Sequence, residues 1–202
     1  MPRADNIAYH NTEAVDLKAL MEVAYKYYPR WYPKRESLEA YLVGYDRKLE
    51  FWRLVHFIER ATEDNTRWHE LLRAVKAAFP EHWVDDGRPP SWEIPSYQLV
   101  LEYKHGAGSR LVNFRLSFFV PFYDYYETER DKDGILVWQQ LHPSPESAPI
   151  VEVIEREIHE RFGYRKLDPE LGETLVPEIG IDTALPGEVT LAGALFEIDR
   201  RW

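Results

Sequence analysis

Hydrophobic and polar positions along this chain change their period near residue 80. Before that point apolar residues recur every three or four positions, the spacing of one helix face. Leu17, Leu20, Ala24 and Tyr27 predict a helix over 12–28. Asn11 and Thr12 would cap it, Glu13 and Asp16 suit the positive end of its dipole, and Pro29 stops it. Leu38, Leu42, Tyr45, Leu49, Trp52 and Val55 predict a longer helix from Ser37 to Ala61. A third follows "TEDNT", with Trp68, Leu71, Leu72, Val75 and Phe79 on one face and Pro80 at its end.

Residues 80–95 are turn-rich. After them the period becomes two, the alternation of a half-buried strand. Tyr97, Leu99, Leu101 and Tyr103 alternate with Gln98, Val100, Glu102 and Lys104. "HGAGS" reads as a hairpin loop, and Val112, Phe114, Leu116, Phe118 and Val120 form the apolar side of the return strand. Strands over 122–128 and 135–141 complete a four-strand meander, with Pro121 as a strand boundary or bulge. Ile150, Ile154, Ile158 and Phe162 then predict a helix from Pro149 to Phe162, closed by Gly163. The tail, "ETLVPEIGID" and "EVTLAGALFEID" around "TALPG", reads as a second hairpin.

Helices and strands are therefore segregated, which predicts an α+β fold with an antiparallel sheet. About three N-terminal helices pack with that sheet, and one further helix separates the meander from the C-terminal hairpin. A chain of 202 residues suits a single domain, with 1–80 its helical part and 81–202 its sheet-rich part.

Charge sharpens the division. Residues 1–76 hold 13 Lys/Arg against 12 Asp/Glu, whereas residues 77–202 hold 12 against 23. The net charge of −10 thus belongs to the sheet-rich part. Such a surface repels phosphates, so neither nucleic acid nor an anionic membrane is an expected partner. It suits a basic protein partner. The chain contains no cysteine, which excludes disulfides and thiolate chemistry. No apolar run reaches the length of a membrane span, and the polar start is unlike a signal peptide, so a cytoplasmic location is expected.

Signatures of catalysis are missing. There is no nucleophile elbow, no phosphate loop and no dinucleotide fingerprint. No H-E-x-x-H or repeated E-x-x-H occurs, and Glu155 and His159 sit among charges on a solvated helix face. No metal, cofactor or catalytic residue is expected. The alternative is a hydrolase-like enzyme of unrecognised family, with a pocket between helices and sheet and with His56, Tyr45 and Asp124 as residues to test.

One stretch departs from the rest. "FFVPFYDYYETERDKDG", residues 118–134, has six aromatic residues in its first nine, followed closely by acids. On an alternating strand Phe122, Asp124 and Tyr126 share one side, and Tyr123, Tyr125 and Glu127 the other. Tyrosine supplies broad contact area with few rotors and a polar tip, and carboxylates add register toward a basic partner. Tyr123, Asp124, Tyr125, Tyr126, Glu127 and Glu129 are the candidate partner-binding residues.

The segments "FYDYYETERDKD" and "EVIEREIHE", with the absence of a catalytic signature, resemble in general character the immunity proteins that bacteria keep beside polymorphic toxins. That resemblance implies a stoichiometric inhibitor that binds a cognate toxin or effector domain, expected to be basic by charge complementarity. A self-associating assembly subunit is a third possibility for the same sheet.

Overall fold

The computed structural model describes residues 16–31, 37–44, 48–88, 94–140, 142–180 and 184–196. Four helices come first: α1 (Leu17–Tyr27), α2 (Leu38–Val43), α3 (Leu49–Ala61) and α4 (Thr66–Ala78). Five strands follow: β1 (Trp83–Arg88), β2 (Ser96–His105), β3 (Gly108–Ser117), β4 (Phe122–Arg130) and β5 (Leu136–Gln140). The chain ends in α5 (Ala148–Phe162), the two-residue β6 (Arg165–Lys166), α6 (Pro169–Gly172) and α7 (Leu191–Phe196). The α+β class and the antiparallel sheet are as the sequence predicts.

Strands β1 to β5 lie in chain order, each antiparallel to the next, and β6 joins the start of β4 in parallel. In-register pairs place Tyr97, Leu99 and Leu101 opposite Leu116, Phe114 and Val112. These residues face α4 and α5 and make one buried cluster with Trp68, Leu71, Val75, Ile154 and Ile158. The second cluster, on the opposite side of the sheet, joins α1, α3 and α7 with Val120, Phe122, Leu167 and Val176. Gly163 adopts the left-handed conformation (φ 67°) that a helix C-cap needs and returns its N–H to the His159 carbonyl, so α5 ends where its glycine falls.

Five expectations change. The first helix is capped by Asp16, whose side chain accepts from the Lys18 N–H at 2.9 Å. The expected caps at Asn11 and Thr12 lie outside the described residues. The single helix over 37–61 is two helices, with a turn at Gly44 after α2, where a residue poor in helix propensity interrupts the period. The buried face of α3 is Phe51, Leu54 and Ile58, while Leu49 and Trp52 of the expected stripe are exposed. A stripe fitted across two helices takes the wrong phase in the second.

The turn-rich stretch before residue 96 contains β1, because pairing with β2 overrides the weak strand propensity of Asp85, Asp86 and Gly87. The C-terminal hairpin is reduced to an isolated bridge, Leu175 with Thr190. Thr190 instead starts α7, accepting from the Gly193 N–H through Oγ1 and the Ala194 N–H through its carbonyl. Every residue of α7 is buried. Its small residues let the helix lie close against the sheet, so a segment without any polar face reads as a strand and folds as a core helix. The Tyr28 hydroxyl donates to the Ala194 carbonyl at 2.8 Å, and the Ser96 hydroxyl donates to the Phe196 carbonyl, so two carbonyls of α7 accept from side chains outside the helix.

Candidate functional site

Strand β4 is central rather than peripheral. It pairs with β3 along one side and with β5 and β6 on the other. Its alternation is as the sequence predicts: Tyr123, Tyr125, Glu127 and Glu129 sit opposite Leu116, Phe114, Val112 and Arg110, while Asp124 and Tyr126 sit opposite Arg115 and Asn113. Exposure is not. Tyr123, Asp124, Tyr125 and Glu127 are buried, and Tyr126 and Glu129 are half-buried. The six candidate residues therefore form no open tyrosine-rich face, because helices cover one side of β4 and α7 covers part of the other.

The buried Asp124 and Glu127 are each held by structural partners. The phenols of Tyr123 and Tyr125 sit under α5 near the Glu155 carboxylate; burial first, and that negative charge second, raise both pKa values well above the ordinary phenol value. Arg115 holds Asp124 with both guanidinium arms, Nε to Oδ1 at 2.8 Å and Nη2 to Oδ2, and only about 2% of the Arg115 side chain is exposed. The Tyr126 and Phe196 rings lie 4.9 and 5.7 Å from that guanidinium. Glu127, with no exposed surface, accepts from the Ser144 N–H at 3.0 Å and from the Ser147 hydroxyl, so it fastens the chain entering α5.

Glu129 belongs to a row that crosses four strands. Tyr103, Arg110, Glu129 and Trp138 are successive register partners from β2 to β5. Arg110 binds Glu129 at 2.9 Å and Glu146 at 3.1 Å, and its guanidinium lies 5.4 Å from the Trp138 ring. His105 reaches the same Glu146 carboxylate at 2.8 Å. This row fixes β5 to the rest of the sheet.

The apolar exposure lies one strand further on. Ile135, Leu136 and Val137 are 62%, 36% and 56% exposed, three consecutive aliphatic residues at the sheet edge. Among the described residues no strand pairs with the outer side of β5. A register shift beside Glu129 and Arg130 places Leu136 opposite Arg130 and Trp138 opposite Glu129, so Val137 is the extra residue of a bulge. The turn into the strand is closed by its own hydrogen bonds: the Asp131 carboxylate accepts from the Asp133 and Ile135 N–H groups at 2.9 Å each, and Gly134 takes φ 79°. "ILVWQQL" carried this signal in the sequence, since its three leading aliphatics do not alternate as a half-buried strand should.

Of the alternative catalytic set, two residues are described, and they lie apart from any shared polar contact. His56 is exposed on α3 and pairs with Glu59 at 3.1 Å, Asp124 is held in the sheet by Arg115, and Tyr45 lies outside the described residues. Arg115, on the side of β3 opposite Val112, Phe114 and Leu116, is the residue that determines what Asp124 does. Among the described residues no group of three or more His, Asp or Glu is arranged to hold a metal ion, and no helix is long and apolar enough to cross a membrane. No protein-family model, curated protein or solved structure matches the chain.

Proposed function

We propose that this protein works by binding another protein, as an immunity-type inhibitor that neutralises a cognate toxin, and that the contact is made through the β5 edge rather than through β4. The observation that carries this reading is the outer side of β5, unpaired among the described residues, beside three exposed aliphatic residues. An exposed apolar edge strand is a template for pairing, and soluble proteins ordinarily blunt it. An extended partner segment added there would gain main-chain hydrogen bonds from the edge and specificity from Ile135 and Val137. The net charge of −10 supports a basic partner, with long-range attraction acting on the association rate.

The test uses the double variant Ile135→Lys, Val137→Lys. The wild-type chain is expected to bind and inhibit a basic toxin-type protein encoded beside it, with association that slows as salt rises. The double variant is expected to fold normally and to lose at least about tenfold in affinity, the equivalent of ~1.4 kcal/mol. Undiminished inhibition by the variant would move the contact away from β5. Failure of the wild-type chain to bind any such protein would remove the immunity role.

A further inference from the structure

The outer side of β4 is not continuously paired. Among the described residues β6 pairs with Phe122 and Tyr123 and β5 begins its pairing at Glu127, so residues 124–126 have no described strand partner on that side. A crevice opens there, enclosed by β6, α6 and α7. Leu167, Gly172 and Ala192 supply apolar wall, and Asp124, Lys166 and Asp168 are its charged members. We propose that Lys166 is the reactive amine of a small-molecule site, and that this crevice takes short aldehydes or ketones as Schiff bases.

The argument begins with where the ammonium stands. Lys166 Nζ lies 3.9 Å from the centroid of the Tyr125 ring, half-buried, and among the described residues no carboxylate reaches it at ion-pair distance. The carboxylates around it serve other donors. Asp124 is held by Arg115 from β3, and Asp168 Oδ1 accepts from the Glu170 and Leu171 N–H groups at the start of α6. Glu155 of α5 acts on the amine only from a distance, Tyr125 presents its ring, and α7 brings the uncharged Ala192. Burial lowers the Lys166 pKa most, and the charges of Glu155 and Asp124 offset part of that. More of this lysine is therefore the free amine near neutral pH than of an exposed one.

The free amine is the nucleophile toward a carbonyl. Its lone pair adds to the carbonyl carbon, the carbinolamine loses the former carbonyl oxygen with two hydrogens as water, and a C=N bond remains. No electron donor or acceptor is required. A neutral carbonyl compound suits the site better than an anion, because Asp124 and Asp168 would repel negative charge, and the narrow apolar wall favours a short chain.

The full chain is incubated with propionaldehyde and cyanoborohydride near neutral pH, and each lysine is followed by mass spectrometry. Lys166 is expected to be alkylated several-fold faster than the exposed Lys104 and Lys132. Its rate should reach half its plateau at a lower pH than theirs. Lys166→Met, checked for a native circular dichroism spectrum, should lose the fast phase of incorporation. A bulky aldehyde such as naphthaldehyde should lose the preference, because it cannot enter. Lys166 alkylated no faster than Lys104 would overturn the proposal, and an equal preference for naphthaldehyde would overturn the crevice.

Discussion

Strands β4 and β5 are adjacent arms of one hairpin, and they treat their side chains in opposite ways. β4 carries tyrosines and carboxylates, a composition suited to an interface, and buries most of them. β5 opens with Ile135, Leu136 and Val137, a composition suited to a core, and exposes them. The difference is one of position in the sheet. β4 has neighbours on both sides, helices over one face and α7 over part of the other, whereas β5 has a neighbour on one side among the described residues. Side-chain chemistry proposes an interface; neighbours decide whether it can be reached.

Alkali should draw this contrast most sharply, because it acts on several buried hydroxyls together. Tyr28, Tyr97, Tyr123, Tyr125 and Tyr164 all titrate above their ordinary value of 10.0 in the folded chain, Tyr97 pushed up to about 12, with burial the leading cause in each. Above pH 10 the unfolded chain releases protons that the folded chain keeps, so stability falls as pH rises further. Phenolate absorbance from the β4 tyrosines is expected to appear with loss of the native circular dichroism signal. Phenolates that appear while the fold persists would mean that β4 is open to solvent.

Single substitutions in β4 come next. Asp124→Ala strips the buried Arg115 guanidinium of its bidentate partner and should cost about 3–5 kcal/mol in urea denaturation. Glu127→Leu removes the acceptor of the Ser144 N–H and the Ser147 hydroxyl and should cost about 1.5–3 kcal/mol, with the first turn of α5 losing amide-exchange protection. An Asp124 variant as stable as the wild type would return that carboxylate to the list of surface groups. The smallest effect is expected at the edge. Val137→Lys should change stability by no more than about 0.5 kcal/mol, since the side chain it replaces is already in water. A large loss there would show that β5 is buried by a further part of the chain or by a second copy.

How much of this was legible follows from which interactions are local. The alternation of β4 assigned Tyr123, Tyr125 and Glu127 to one side and Asp124 and Tyr126 to the other, as the register places them. The α4 stripe and the Gly163 cap of α5 could be read from spacing alone. Arg115 could be placed on its side of β3 but not paired, because its partner lies nine residues away across a hairpin whose register is set by the whole ladder. Lys166 carried no sequence signal at all. Its environment is assembled from β4, α5, α6 and α7, which are far apart along the chain.

By itself, then, the order of residues determined the class of fold, most of the element boundaries and the two-sided pattern of each strand, since periodicity, caps and turn residues act over a few positions. Tertiary structure alone decided that α7 is a buried helix, that the tyrosine-rich strand is the interior of the sheet, and that the aliphatic strand is its edge. Burial is a property of neighbours, and strand order, helix docking and register bring those neighbours from distant parts of the chain.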